Sequence, residues 1–321
     1  MLPGVSRARL ALLFRLLVIA LIGVGVWFLL RGLELHRLGQ ALLAAHTWPI
    51  VLAALLSFVQ MWCKAACWRL LLTDRHGVGL WKQFRYTITA FAASAIAPVR
   101  AGEVLRVWVL KVRHGVPASA STAVAVAEKL LDGLSMALFV APLPWLLPGL
   151  PAWVGHTIAI VAGVGILLLV VLALAAWRYG GTDGRFARFL AAMQILHRPG
   201  PALGALGVLL LGWLVDLGEV VLILYAVGIG LPPAAGLLIL LTLNLAIMIP
   251  STPAQVGALE FGALIALDLL HVPKEPALAF ALIYHAMQIV PLVVVGLVLD
   301  MPLVLGRTGA REDAARQQQE G

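Results

Sequence analysis

Arg100, Glu103 and Arg106 recur at intervals of three in a stretch bounded on both sides by apolar runs. A guanidinium presents a planar fork of donors that fits phosphate, and a carboxylate three residues away can balance one of the two arginines. Glu128, Lys129 and Asp132 form a second group, with the two acids four apart and therefore on one helical face. Asp216 and Glu219 form a third, with no cation near them in sequence. Glu260 and the amide of Asn244 complete the set. The chemistry open to these groups is anion binding by the arginines and Lys129, and ammonium binding or proton relay by the acids. Plainer roles compete: arginines that reach the headgroups as topology anchors, a structural Glu103–Arg106 pair, and a neutralised network that fixes helix packing. A charge at the centre of a bilayer costs about 2.5–3.5 kcal/mol on insertion scales. A chain that merely sat in lipid would not keep so many.

The elements that must position these residues are membrane helices. The chain has 321 residues, 62% hydrophobic and 12% charged, with a mean hydropathy of +1.01. Soluble domains carry about 25% charged residues, so the class is all-α polytopic membrane protein. The net charge of +8 follows membrane topology and not a nucleic-acid surface. Full spans are expected at residues 10–30, 49–72, 119–147, 152–177, 204–227 and 277–299. Residues 31–37 read as a polar connection, Lys64 and Arg69 as cations reaching the cytoplasmic interface, and residues 301–321 as a disordered cytoplasmic tail following a membrane domain over 1–300. The first apolar run lacks a clean small-x-small cleavage site and reads as a retained span. Cys63 and Cys67, four apart in one span, read as packing residues. Tyr284, His285 and Gln288 read as core hydrogen-bonding groups, and Trp48, Trp81, Trp153 and Trp177 as interfacial anchors.

Two pairs of segments, 86–97 with 102–113 and 234–249 with 256–270, are too short to cross singly. Each pair is broken by proline and glycine: Pro98 and Gly102 in the first, Pro250, Pro253 and Gly257 in the second. The spacing proline, three residues, glycine occurs in both, and an acid follows each glycine. With both termini cytoplasmic, nearly all the basic loops fall inside, and the two hairpins enter from opposite faces. That is the pattern of an inverted repeat of about six spans and two re-entrant hairpins.

At these residues the chain resembles the flippase-like family named for the membrane region of lysylphosphatidylglycerol synthase. The resemblance is carried by Pro98-Val-Arg100-Ala-Gly102-Glu103-Val-Leu-Arg106, by Glu128-Lys129-Leu-Leu-Asp132, and by Asn244 to Pro250, Pro253, Gly257 and Glu260, and it extends to about residue 300. Lys129 departs from the arginine usual there, and Ala254-Gln255 from a glycine pair. No aminoacyl-transferring domain of the full synthases is matched. The resemblance therefore implies translocation of an anionic or aminoacylated lipid across a bacterial inner membrane, and not an enzyme. A small-solute or ion transporter, or a non-transporting membrane partner of a lipid-modifying enzyme, are the alternatives. A lipid headgroup bearing phosphate is the expected ligand. No cofactor, metal or nucleotide is expected, because the sequence has no phosphate loop, nucleophile elbow or metal-ligand cluster.

Overall fold

The computed structural model describes residues 35–72, 77–96, 101–179, 189–190, 193, 198–248 and 253–304. Pro98, Arg100 and Pro250, the expected first span and the tail beyond 304 lie outside them. Every regular element among the described residues is a helix. In chain order they are α1 (Leu35–Ala44), α2 (Thr47–Leu72), α3 (Leu80–Ile96), α4 (Ala101–His114), α5 (Ala118–Val140), the single turn α6 (Leu143–Leu146), α7 (Ala152–Tyr179), α8 (Pro199–Ala226), α9 (Pro233–Ile247), a 3₁₀ turn at Pro253–Gln255, α10 (Ala258–Leu269) and α11 (Lys274–Val304).

Four of these, α2, α7, α8 and α11 up to Met301, are long and apolar enough to cross a membrane. Helix α5 has 23 residues, about 35 Å at 1.5 Å per residue. Its three central charges, Glu128, Lys129 and Asp132, set it apart from that group. It also ends earlier than its apolar run suggests. Pro142 and Pro144 remove backbone donors and crowd the preceding turn, so the path restarts as α6. Two other boundaries differ from the sequence reading. The connection around 31–37 leads into helix α1, whose Leu38 and Ala41 pack on Leu278 and Ala279 of α11. Residues 301–304, assigned to the tail, continue α11, although its path breaks at Asp300.

The packing is organised on α2 and α8, which lie antiparallel. Gly204 faces Leu70, Gly212 faces Cys63 and Gly218 faces Leu56, and the His46 amide donates to the Ala226 carbonyl at 2.9 Å. As one residue number rises the other falls, which fixes the direction. In lipid there is no hydrophobic force to bring apolar helices together, so small residues that let backbones approach are the natural contact. Helix α7, by contrast, packs mainly on α5 and exposes Ile160, Val164, Ile166 and Leu167 to the surroundings.

The short helices form two antiparallel pairs. In α3–α4, a Cβ built on Gly102 would lie 1.8 Å from the Ala90 carbonyl oxygen. In α9–α10, one built on Gly262 would lie 2.7 Å from that of Thr242. Both glycines are therefore required by backbone contact. Helix α9 has 15 residues, about 22 Å against a hydrocarbon core of about 30 Å. It is buried continuously from Ala235 to Leu243. Protein on all sides is the condition under which a short helix with exposed ends survives at membrane depth. The 3₁₀ turn after α9 touches α3, so the break of the second pair lies against the first pair.

Candidate functional site

The polar residues of α2 recur as Ser57, Gln60, Lys64 and Trp68, spaced three and four apart on one face. That face meets α5 and α8 and collects their acids. The Trp68 indole N–H donates to Glu128 Oε2 at 2.6 Å. Lys64 Nζ is 3.1 Å from Asp132 Oδ2. The Gln60 amide is in hydrogen-bonding contact with Asp216, and Gln288 of α11 donates to Glu219 Oε2 and to the Tyr284 hydroxyl, each at 2.9 Å. Trp213 of α8 donates its indole N–H to Ser135 Oγ of α5 at 3.0 Å, closing the gap between those two helices. From Ser57 to Trp68 the line runs eleven residues along α2, about 16 Å through the middle of the bundle.

Arg106 caps one end of this column. It is 6% exposed, lies 3.7 Å over the Trp68 ring and donates to Gln83 Oε1 at 3.4 Å. A guanidinium is weakly hydrated and stacks on aromatic faces, which suits it better than lysine to such a position. Its Nε has no partner. Glu128, which accepts the Trp68 indole N–H, supplies an opposite charge beside it.

Glu103 does not pair with Arg106, as the i,i+3 spacing suggests. It reaches across to Lys129 of α5, Oε1 to Nζ at 3.4 Å, and both are half-exposed. The physical reason is helix direction: Arg106 faces α2 and α3, whereas Glu103 faces outward toward α5. Lys129 thereby leaves the face of Glu128 and Asp132 and joins a separate, accessible pair. Lys64 is also reassigned. It lies within the acidic face, because α5 presents Asp132 at 3.1 Å and Glu128 and Asp216 stand nearby.

Glu260 belongs to neither pair. The backbone through the second break is left-handed at Ala254 (φ 55°), Gln255 (φ 63°) and Gly257 (φ 88°). Only Gly257 adopts this without cost. Glu260 Oε2 accepts the Gly257 N–H at 2.7 Å, a capping contact at the start of α10. Its other oxygen meets His285 Nδ1, and His285 Nε2 meets the Ala254 carbonyl at 2.8 Å. One imidazole on α11 thus ties the turn at Ala254 to the first turn of α10. Asn244 bonds its own helix, Nδ2 to the Leu240 carbonyl at 2.9 Å, and so sits at the end of α9 before the break.

The structure therefore gathers Arg106, Glu128, Asp132, Asp216 and Glu219 into one column, places Glu103 with Lys129 at its flank, and puts Glu260 and Asn244 on the second hairpin. Gln60, Lys64, Trp68 and, on α3, Gln83 belong to the column although they are not among the candidate site residues; the recurrence of polar residues three and four apart on α2 is the signal for the first three, and Gln83 has none. His285 and Gln288 take the core hydrogen bonds expected of them. Cys63 and Cys67 are free and buried, and Trp48, Trp81, Trp153 and Trp177 are outward-facing. Among the described residues no group of three or more metal-ligating side chains occurs.

A family model, the lysylphosphatidylglycerol synthase TM region, matches residues 13–296. The chain belongs to this family. It is a multi-pass membrane protein of a family linked by its description to lipid biology, and the column lies wholly inside the matched region. No curated protein and no solved structure matches the chain.

Proposed function

We propose that this protein translocates an anionic or aminoacylated phospholipid across the bacterial inner membrane, as a flippase or scramblase and without catalysing a chemical reaction. The observation that carries this reading is the column of six ionisable side chains through the apolar bundle, beside two short-helix pairs, the turn of the second lying against α3 of the first. Arg106 is the group for the phosphate, together with Arg100, which precedes it by six residues in sequence. The column acids serve an aminoacyl ammonium or a proton. Membership of a family named for a lipid synthase's membrane region supports lipid over a small solute.

The mechanism rests on an inverted repeat. Helices α2, α3, α4 and α5 correspond to α8, α9, α10 and α11, each set a span, a re-entrant hairpin and a span. Three features support it: α2 and α8 run antiparallel, each hairpin contains a glycine pressed on a neighbouring backbone, and the α3–α11 contact has its counterpart in α5–α9. With the first span and α5 and α7, this makes six full spans, both termini cytoplasmic. Rocking one repeat against the other would open the column to either leaflet in turn.

The test is the full chain reconstituted in vesicles with a headgroup-labelled fluorescent phosphatidylglycerol and a membrane-impermeant quencher. Active protein lets the quencher reach label beyond the outer-leaflet fraction. Arg106→Ala and Arg100→Ala vesicles should behave like protein-free ones. Wild-type vesicles indistinguishable from protein-free vesicles, with or without an imposed pH gradient, would remove lipid translocation.

A further inference from the structure

The column holds more negative charge than it can balance. Its cations are Lys64, Arg106 and, at the flank, Lys129, and its acids are Glu128, Asp132, Asp216, Glu219 and, paired with Lys129, Glu103, so three charges face five. Arg106 and Glu128 share the Trp68 ring between them, and Lys64 pairs directly with Asp132. Asp216 and Glu219 are left over, three apart on one face of α8 and 8% and 0% exposed. The groups that face them are Ser57, Gln60, Cys63 and Lys64 from α2, Asp132 from α5, and Tyr284 and Gln288 from α11. Of these only Lys64 is cationic, and Asp132 already holds it.

A second observation points to what completes the site. Glu219 Oε1 and Gln60 Oε1 are buried acceptors with no aligned donor among the described residues; the Ser57 hydroxyl lies beside Glu219 but is directed to the Ala53 carbonyl and the Met287 sulfur. Unmet acceptors beside uncompensated carboxylates are a costly arrangement in low dielectric. A metal cation does not suit the place, since it needs several converging oxygens, whereas Glu219 Oε2 already faces the Gln288 N–H. A proton needs only one oxygen, removes one charge and turns that carboxyl into a donor.

We propose that Asp216 and Glu219 form a proton-binding pair that couples movement of this protein to the transmembrane proton gradient. The pair itself stands on the column alone; its coupling role rests on the translocation reading. One proton resides on the pair when the column is closed. When the α2–α8 contact opens to water, the proton leaves to that side and the carboxylates are hydrated.

The decisive experiment is infrared spectroscopy of the full chain in dodecyl maltoside, a detergent with no carbonyl and no amine. At neutral pH the wild type should show the C=O stretch of a protonated carboxyl, shifted in deuterium oxide, lost at alkaline pH, and indifferent to exchange of sodium for choline. Glu219→Gln and Asp216→Asn, both near-isosteric and neutral, should each lose or shrink that band. Absence of the band in the wild type, an undiminished band in both variants, or a band that depends on sodium overturns the proton site. In vesicles carrying labelled phosphatidylglycerol, an imposed pH gradient should change the wild-type translocation rate several-fold, and Glu219→Gln should lose that response. Wild-type translocation indifferent to the gradient overturns coupling while leaving translocation standing. No translocation at all removes both coupling and translocation, with the infrared band still deciding the proton site.

Discussion

At the scale of single residues, the column pairs Lys64 closely with Asp132 and, among the described residues, leaves Asp216 and Glu219 without a cation of their own. The Lys64–Asp132 pair is the clearest case: about a fifth of each side chain is accessible, 22% and 19%, and among the described residues Lys64 is the cation that acts on both Asp132 and Asp216. Removing one member of a buried pair strands the other, which costs about 3–5 kcal/mol. The residual accessibility places this pair at the lower end. Lys64→Met should therefore lower the thermal unfolding midpoint in detergent, by an amount corresponding to about 3 kcal/mol. The double variant Lys64→Met, Asp132→Leu should regain most of that loss, because two apolar groups of similar size leave no charge stranded. Recovery of stability with transport still absent would separate the pair's role in the site from its role in packing. A double variant no more stable than Lys64→Met would show that the pair's geometry, and not charge balance, holds α2 on α5.

At the scale of elements, the sequence made the breaks legible and left their partners hidden. Pro98, Gly102, Pro253 and Gly257 interrupt apolar runs too short to cross, which hydropathy and length reveal directly. The acids of α5 and α8 were equally plain, as were the faces they share. What periodicity cannot give is the rotation of one helix against another. So the spacing offers Arg106 as one partner for Glu103, whereas the structure pairs it with Lys129 of α5, and the end of the span places Lys64 at the interface, whereas Asp132 of α5 holds it. His285 reads as a core residue from the sequence, and its link between the turn and α10 depends on a left-handed backbone at Ala254 that no spacing reveals. The glycines offer a test of the hairpins. Gly102→Ala and Gly262→Ala each place a methyl against a backbone carbonyl, at 1.8 Å and 2.7 Å before relaxation, and should destabilise by about 1–3 kcal/mol as overpacked contacts do. Gly163→Ala on α7, with nothing within 4 Å, should instead be neutral or gain up to about 1 kcal/mol from helix propensity. Thermal unfolding of the three variants in one detergent distinguishes them, and equal behaviour would mean that neither hairpin relies on its glycine.

At the scale of the whole molecule, the antiparallel register of α2 and α8 decides how the hairpins face. From His46 against Ala226 to Leu70 against Gly204, the two helices run past each other over nearly their full lengths. The chain leaves the C-terminal end of α2 directly into the α3–α4 pair, and leaves the C-terminal end of α8 directly into the α9–α10 pair. Because those two ends lie at opposite poles of the bundle, the open ends of the hairpins must also lie at opposite poles. Lys111, in the last turn of α4, and Lys274, at the start of α11, are both exposed and mark the two poles. Lys111→Cys should react with a membrane-impermeant maleimide only in permeabilised cells, and Lys274→Cys in intact ones. The native Cys63 and Cys67 are 4% and 0% exposed and should add little background. The expected side follows from the basic residues at the first mouth, Lys82, Arg85, Lys111 and Arg113, since cations are favoured on the cytoplasmic face. Reaction of both cysteines from the same face would break the link between antiparallel α2–α8 packing and opposed hairpins. Alternation of one site between two leaflets would then lose its structural basis.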